Sequence, residues 1–465
     1  SGTEVTSNAN TSQNPVNRYL TKLSMKKTLS IVVLLAREHK AGHKEIDHVL
    51  PFLYLLQHHL TKTLDLIDIR VIFSTYRSLL SDRSDRRIDL LKSLENVELI
   101  DLECPRAMQA FVHVAKLLQN YRIAKPVSSV CRRILRWYDK KYARSAIRRE
   151  TLGDRFFAAD VSLVLITNLS WSAKNAVDTI RALNPNTQMC VIPHGTIMCD
   201  NEMVHDDHVQ KESLVNANPL LNYPDQILFT SERQKTKAIA ANMKPSIGRV
   251  IGFPRYCSEW LLAKRTHQID GPLPPRTDGK KNILFLLPKP FINIWHEELT
   301  RTIHFLASYS DFDIILNGDD PDYPQLPNPD HQYTNLRRSK ISQEYSSSAL
   351  IEWADAVFHA GSGVTYESFA KNKITVLPCY ITANVLISEK YNAGVHLRCR
   401  DDLRDFCNRL SRSVEETEQF YSSSNHTGTR KYINDYIEAR ENSVGENIGN
   451  AIESLISKNF SESTF

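Results

Sequence analysis

Short apolar runs of strand length alternate with helix-length segments along most of the chain. The runs of the first half are rich in Val, Ile and Leu, which is typical of strands buried on both faces of a parallel sheet. An alternation of strands and helices predicts such a sheet with helices on both faces. The predicted strands are 29–36, 68–74, 97–102, 160–167, 189–193, 226–231 and 249–254, and the predicted helices are 48–60, 172–183 and 232–243.

The alternation starts again after DGPLPPRTDGKK, residues 270–281, where proline, glycine and charge are concentrated. This composition is typical of a linker between domains. The predicted strands of the second half are 282–288, 312–318, 356–361 and 374–378, and its predicted helices are 295–309 and 364–371.

The pattern therefore predicts an α/β protein with two Rossmann-like domains that face each other across a cleft. The N-terminal domain would span 25–269 and the C-terminal domain 282–400. The charged, helical segment 401–465 is expected to pack back across the hinge, and the polar segment 1–24 is expected to be a disordered tail. Ligands of such sheets bind beyond the carboxyl ends of the strands.

Composition changes this picture little. Of the 465 residues, 42% are hydrophobic and 24% are charged, which is typical of a soluble globular protein. Because no apolar run reaches the length of a membrane span and residues 1–24 lack an apolar signal region, we expect a cytoplasmic location. The eight cysteines include no C-x-x-C pair, so free thiols are expected rather than a zinc site or a disulfide framework.

The net charge of +5 is distributed unevenly, because residues 132–149 carry eight Lys or Arg against one Asp. One interpretation is a solvated helix face. The other is a peripheral contact with anionic lipid at the inner face of the plasma membrane, since Ile134, Trp137 and Tyr138 interleave with the charges. No nucleic-acid-binding motif accompanies the stretch, so we expect no nucleic-acid partner.

The stretch FHAGSGVTYESFAKNKITVLP, residues 358–378, combines a strand, a glycine turn and a helix start. The glycines permit close approach of the backbone to a ligand, and a helix N-terminus favours an anion such as phosphate. Ser362 and Thr365 add hydroxyl donors. Glu367 would either accept hydrogen bonds from ribose hydroxyls or cap the helix.

This strand–HAGSGVTYE–helix pattern resembles the donor-binding segment of GT-B glycosyltransferases and of the related sugar-nucleotide 2-epimerases. The resemblance implies that Gly361, Ser362 and Gly363 contact the phosphates of the donor and that Glu367 binds its ribose. His359 and Thr365 belong to the same donor-binding segment; for His359, a structural role within its strand is the alternative.

Three further stretches resemble these enzymes in the same order along the chain. Residues 227–256 end in Gly-x-Pro-Arg, as the first domain of the 2-epimerases and teichoic-acid polymerases does, and this match implies a donor-side role for Arg255. Residues 37–56 are similar to the first loop of the lipid-linked glucosaminyltransferase of peptidoglycan synthesis. CVIPHGT, residues 190–196, is similar to a motif of capsule and teichoic-acid transferases. The matched positions are Gly42, His43 and Pro51 in the second stretch, and His194 and Gly195, on the acceptor side, in the third.

Together the resemblances cover roughly residues 28–395 and imply a bacterial glycosyltransferase of capsule, lipopolysaccharide or teichoic-acid synthesis. Inverting transfer needs a base for the acceptor hydroxyl, for which His43 and Glu38 are the candidates. Lys289, supported by Arg255, would meet the leaving phosphate. A retaining enzyme would instead need a carboxylate near the anomeric carbon, for which Asp200 is the candidate.

The expected substrates are a UDP- or CMP-linked sugar and a glycan or lipid-linked oligosaccharide acceptor. No cofactor and no bound metal are expected to be required. One departure concerns residues 314–324, where CMP-sugar transferases often carry His-Pro but this chain has IILNGDDPDYP. Its aspartates at 319, 320 and 322 would repel a phosphate in the absence of a cation, which disfavours a CMP-linked donor; a surface turn is the simpler interpretation.

Two other functions remain open on the same scaffold. A sugar-nucleotide 2-epimerase would place acidic residues on both sides of the sugar, and the sequence is compatible with this. A non-catalytic nucleotide- or glycan-binding subunit is the third alternative. His43, Lys289 and Glu367 are residues that such a subunit would not need.

Overall fold

The computed structural model describes most of the two α/β halves of the chain. The described residues are 27–35, 41–59, 64–73, 85–101, 147–194, 219–288, 293–318, 333–339, 345–438 and 442–462. The predicted tail at 1–24, most of the basic stretch 132–149 and the aspartates at 319, 320 and 322 lie outside these ranges.

Seven parallel strands form the first sheet within the described residues, in the order β3-β2-β1-β4-β5-β6-β7. The strands are β1 (Lys27–Leu35), β2 (Leu64–Phe73), β3 (Val97–Asp101), β4 (Val161–Ile166), β5 (Gln188–Val191), β6 (Gln226–Phe229) and β7 (Gly248–Val250). The helices that accompany them are α1 (Ala41–His59), α2 (Arg86–Ser93), α3 (Arg149–Leu152), α4 (Asp154–Ala158), α5 (Trp171–Leu183), α6 (Glu232–Ala240) and α7 (Ser258–Thr266). The chain order reverses between β1 and β4, so a crevice for ligands is expected beyond their carboxyl ends.

Six parallel strands form the second sheet of the described chain, in the order β10-β9-β8-β11-β12-β13. They are β8 (Lys281–Leu286), β9 (Phe312–Asn317), β10 (Leu336–Ser339), β11 (Ala356–His359), β12 (Ile374–Pro378) and β13 (Val395–Leu397). The helices are α8 (His296–Ala307), α9 (Ser347–Trp353), α10 (Thr365–Ala370), α11 (Ile387–Lys390), α12 (Arg400–Arg412), α13 (Val414–Ile433) and α14 (Val444–Glu462). Here the order reverses between β8 and β11, and the glycine turn follows β11 directly.

The largest difference between a predicted and an observed helix boundary is at the start of α1. The helix predicted at 48–60 begins at Ala41, so the backbone of His43 lies in its first turn and not in a preceding loop. Polar residues occupy this added part of α1, which is why an apolar pattern did not reveal it. Pro51 lies inside the helix, as the resemblance implied.

The C-terminal helices pack back across the hinge, as predicted. α14 packs against α1, and Ile448, Ile452 and Leu455 are buried in the core of the first domain. Gly445 and Gly449 lie against His59 at the end of α1, where added Cβ atoms would collide with or press on that residue. The first domain therefore takes part of its core from the far end of the chain.

An aromatic cluster fills the hinge between the two sheets. Phe253 and Tyr256 follow β7, and they pack with Tyr366 of α10 and with Tyr432 at the end of α13. The Phe253 amide donates a 2.8 Å hydrogen bond to the carbonyl of Ile437. This packing brings the segment after β7 next to the carboxyl edge of the second sheet. Among the described helices, none is long and apolar enough to cross a bilayer.

Candidate active site at the hinge

Two histidines meet beyond the carboxyl edge of the first sheet. His48 lies on α1, which follows β1, and His194 lies just after β5. Their ring centroids are 4.5 Å apart. His48 is 8% exposed, and its Nδ1 receives no hydrogen bond from the described part of the chain, whereas His194 is exposed. One ring is thus buried behind another that a ligand could reach.

Arg255 stands beside the histidines, and an ion-pair chain fixes it there. Its Nη2 lies 3.2 Å from Oδ2 of Asp47 on α1. Oδ1 of Asp47 in turn lies 2.7 Å from Nη1 of Arg87 on α2. Burial alone would raise the pKa of Asp47, but Arg255 and Arg87 lower it. Asp47 is therefore ionised, and each of its carboxylate oxygens pairs with an arginine. We call His48, His194, Arg255 and Asp47 the imidazole cluster.

The surroundings keep both imidazoles neutral. Burial, followed by the charge of Arg255 and the proximity of His194, lowers the pKa of His48 to about 3. Burial and Arg255 also lower the pKa of His194. A neutral imidazole can accept a proton. Because His194 is exposed and His48 is buried, His194 is the better placed of the two to do so.

A second cluster lies at the carboxyl edge of the second sheet. Oε1 of Glu367, on α10, accepts a 3.0 Å hydrogen bond from Nζ of Lys264 and a further bond from Oγ of Ser348. Nζ of Lys371 is 3.2 Å from the same oxygen, and Lys264 also pairs with Asp270 at 2.8 Å. We call Lys264, Asp270, Ser348, Glu367 and Lys371 the lysine–glutamate cluster.

Charge compensation keeps Glu367 ionised although its side chain is only 3% exposed. Burial alone would raise the pKa of this carboxyl group. The charges of Lys264 and Lys371 outweigh that effect and lower the pKa to about 2. Burial would lower the pKa of Lys264, but Glu367 and Asp270 raise it. Lys264 lies on α7 of the first domain, so the cluster joins the two domains. Burial would lower the pKa of Arg255, but Tyr256, Asp47 and then Glu367 raise it, so the two clusters lie within electrostatic reach of each other.

The glycine turn after β11 leaves polar groups and open space. Gly361 has a φ of 101°, a left-handed conformation that favours glycine, and a Cβ added to Gly363 would meet no atom within 4 Å. His359 Nδ1 accepts a hydrogen bond from the Gly361 amide, at 3.3 Å, so its proton sits on Nε2. Neither this Nε2 nor Oγ1 of Thr365, both buried, has a hydrogen-bond partner among the described residues. Burial, and then His396, lower the pKa of His359 to about 3.

The two-sheet architecture matches solved structures along almost its whole length. A structure described as a UDP-N-acetylglucosamine 2-epimerase from Listeria monocytogenes aligns over 95% of this chain and 98% of its own, with a TM-score of 0.50 and 10% identity. The wall teichoic acid polymerase TagF aligns over 93% of this chain and 90% of its own, with a TM-score of 0.50 and 13% identity. The chain has the GT-B fold. At these identities the likeness shows the fold alone, and no family model and no curated protein sequence matches the chain.

Within the GT-B fold, several predicted site residues meet at the hinge, and others lie outside the described residues. Arg255 joins the imidazole cluster with His194, and Glu367 joins the lysine–glutamate cluster. The glycine turn leads into α10, a helix of six residues. Glu38, Gly195, Asp200 and Lys289 fall outside the described ranges, as does the side chain of His43.

Sequence reasoning missed His48 and Lys264. His48 lies on α1 among apolar residues, where a histidine is typical of a core position, and only the neighbouring His194 reveals its place. Lys264 resembles any basic residue in the last turn of a helix. Its burial against Glu367, over 100 residues away in sequence, has no local signal. No group of three potential metal ligands occurs in the described ranges.

Proposed function

We propose that this protein is a glycosyltransferase that moves a sugar from a nucleotide-sugar donor to a glycan or lipid-linked acceptor in bacterial surface-polysaccharide synthesis. The observation that carries the proposal is the proximity of an exposed neutral imidazole, His194, to the fixed cation of Arg255 at the hinge. Transfer needs a proton acceptor for the hydroxyl of the acceptor and positive charge for the leaving phosphate.

The donor would bind at the second domain. Its phosphates would lie against the backbone of Gly361–Gly363, where the structure leaves room at Gly363, with Arg255 and Lys289 compensating their charge. The polar atoms of His359 and Thr365 that have no partner among the described residues would be further contacts for the donor. Glu367 would accept hydrogen bonds from the ribose hydroxyls. A UDP-linked donor is favoured over a CMP-linked one, and no cofactor is required for this chemistry.

The acceptor would bind against the first domain. Its hydroxyl oxygen attacks the anomeric carbon while the bond from that carbon to the phosphate oxygen breaks. The nucleotide leaves with the bonding electron pair, and His194 takes the proton of the hydroxyl. His48 packs behind His194 and orients its ring. This order of events inverts the configuration at the anomeric carbon. His43 and Glu38 remain alternative bases, and Asp200 is the carboxylate of a retaining mechanism.

A lipid-linked acceptor would be met at the inner face of the plasma membrane, through the basic stretch 132–149. Each basic residue near an anionic leaflet contributes about 1 kcal/mol to binding. The test is co-sedimentation with phosphatidylglycerol liposomes, which charge reversal at Arg132, Arg136 and Lys140 should abolish. Binding that survives both this reversal and raised salt contradicts the proposal.

Product analysis tests the reaction. The protein is incubated with UDP-, CMP- and GDP-sugars, with or without a bacterial membrane lipid extract, and with magnesium or a chelator. Nucleotide release that requires the extract supports a transferase. Conversion of UDP-N-acetylglucosamine to its 2-epimer without the extract would make the protein an epimerase.

A thermal-shift panel with UDP, CMP and GDP tests nucleotide binding. A ligand at 100 times its dissociation constant should stabilise the protein by about 2.7 kcal/mol. Absence of any nucleotide binding would contradict both the transferase and the epimerase.

A further inference from the structure

We propose that Lys264 of the first domain, together with Lys371, is a positioning residue that holds one oxygen of Glu367 and leaves the other for the two hydroxyls of the donor's ribose. The inference rests on the proposed function, because it concerns the same donor site. It adds a residue from the opposite domain that no part of the glycine-turn pattern contains. Its basis is the arrangement of donors around the Glu367 carboxylate.

The donors are arranged asymmetrically. Lys264 and Ser348 both donate to Oε1, and the shortest approach of Lys371 is also to Oε1. No hydrogen bond from the described residues reaches Oε2. Oε2 is not among the fully buried atoms that lack a partner, so part of it stays accessible to a ligand. A ligand that brings two hydroxyl donors would supply the hydrogen bonds that Oε2 lacks within the described residues.

The charge balance selects a neutral ligand group. Two cations, Lys264 and Lys371, face two anions, Glu367 and Asp270, so the buried centre of the cluster is neutral. Lys371 also approaches the half-exposed Glu352 at 3.3 Å. A phosphate at Oε2 would add an uncompensated negative charge, which is strongly disfavoured in a buried site. A vicinal diol such as that of ribose adds none.

Because Lys264 belongs to the first domain, donor binding would depend on how the two domains are arranged. Lys264 lies in the last turn of α7, and Trp260 and Ala263 of the same helix are buried in the first domain's core. Glu367 belongs to the second domain. The carboxylate is therefore held in this orientation only while α7 stays docked against α9 and α10. Lys264 would complete the donor site only in that arrangement of the two domains.

The test compares ribose recognition in matched variants. Dissociation constants are measured for UDP and CMP and for their 2′,3′-dideoxy analogues, with wild type, Glu367→Gln, Lys264→Met, Lys264→Arg and Lys371→Met. Lys373→Met is the control, because Lys373 donates to the backbone carbonyls of Glu352 and Ala354. Wild type should prefer the ribonucleotide by roughly tenfold to hundredfold. Glu367→Gln and Lys264→Met should lose most of that preference, Lys264→Arg should keep part of it, and the control should keep it all.

A pH profile separates positioning from a purely structural role. The charged and titratable groups facing Glu367 are Lys264, Lys371, Asp270, Arg255 and Tyr256. In wild type the preference for the ribonucleotide should be constant from pH 8 to pH 5. In Lys264→Met it should weaken as the pH falls, because Glu367 loses the cation that keeps it ionised and takes up a proton. If Lys264→Met does not fold, Lys371→Met gives the same comparison.

The outcomes distinguish this inference from the proposed function. If wild type binds neither nucleotide, or binds the ribo- and dideoxy forms equally, the proposed donor site is wrong and the inference falls with it. If Glu367→Gln loses the preference but Lys264→Met and Lys371→Met keep it at every pH, Glu367 binds ribose without their help and the inference alone is overturned. A gain in affinity in Lys264→Met would show that Lys264 obstructs the ribose, which also overturns it.

Discussion

The two clusters at the hinge handle charge in opposite ways. The imidazole cluster presents two neutral rings, of which His194 is exposed, beside an arginine whose carboxylate partner is already shared with Arg87. The lysine–glutamate cluster contains full charges of both signs, which are mostly buried and mutually compensated. A group that exchanges a proton needs access and an unoccupied atom. A group that fixes the orientation of a ligand is served by firmly paired charges.

The same short segment serves both clusters. Arg255 and Lys264 lie nine positions apart, at the start of the segment after β7 and in the last turn of α7. Arg255 turns toward the first domain and Lys264 toward the second. This segment precedes the linker at 270–281 directly, so any change in the angle between the domains would act on both cations. Changes to residues of either cluster, or to the cores that support them, test this contrast.

The largest effect is expected from His194→Ala. If His194 takes the proton of the acceptor, turnover should fall by roughly 10²–10⁴-fold, while the dissociation constant of the donor changes little. Initial rates with the donor found in the nucleotide-sugar panel measure this, and His58→Ala, an exposed histidine on α1, is the control. Equal losses in donor affinity and in turnover would place His194 on the donor side and break the contrast.

Ile452→Ala should destabilise the first domain selectively. Ile452 is fully buried in the core that α14 shares with α1, the helix that carries His48 and Asp47. Deleting such a side chain costs about 2–5 kcal/mol. Leu410→Ala, fully buried in the second core, is the matched control. Hydrogen exchange should accelerate on α1 in the first variant and on the second sheet in the other. Uniform acceleration in both would mean that the domains unfold as one unit.

Acid should destabilise the protein in two pH windows. Folded His48 and His359 have pKa values of about 3, whereas an unfolded histidine titrates near 6.5, so stability falls as the pH drops from 6.5 toward 3. Between pH 7 and pH 5 each contributes a loss of roughly 2 kcal/mol. The lowered pKa of Glu367, about 2 against 4.5, acts only below pH 4.5.

Urea midpoints at pH 7 and pH 5 for wild type and His48→Gln measure the first window. The variant should lose part of the pH dependence that the wild type shows. If His48→Gln shows the wild-type slope, the buried ring is already protonated in the folded protein, and the description of the imidazole cluster as neutral is wrong.

Asp47→Asn should have the smallest effect. It removes the carboxylate that holds Arg255 while keeping nearly the same shape. Loss of one charged hydrogen bond corresponds to roughly a tenfold decrease in turnover. Asp89→Asn, an exposed aspartate on α2, is the control. A decrease as large as that of His194→Ala would mean that Asp47 touches substrate directly.

Most of the fold could be predicted from the sequence, because buried parallel strands are continuous apolar runs. Every predicted strand of both sheets is present, and the two sheets lie on either side of the predicted linker. The strands that were missed are β10, with sequence LRRS, and β13, with only three residues. Both lie at the edges of their sheet, where few apolar residues are needed.

The candidate site was only partly readable. The order of motifs along the chain led to the prediction of His194, Arg255 and Glu367, because each follows a strand at the sheet edge where ligands bind. The partners of these residues were not readable, since Asp47 and Lys264 reach them through tertiary packing. Glu367 illustrates the limit: its position was predictable, but its near-complete burial between two lysines was not.

The docking of α14 on α1 has a consequence for the order in which the chain folds. Domains generally fold from the N-terminus as they leave the ribosome. The first domain cannot do so completely, because Val444, Ile448 and Ile452 of its core are synthesised after the entire second domain. Until then α1 exposes an apolar face to solvent. We expect nascent chains lacking residues 444–462 to be captured by chaperones and the second domain to reach its native state first.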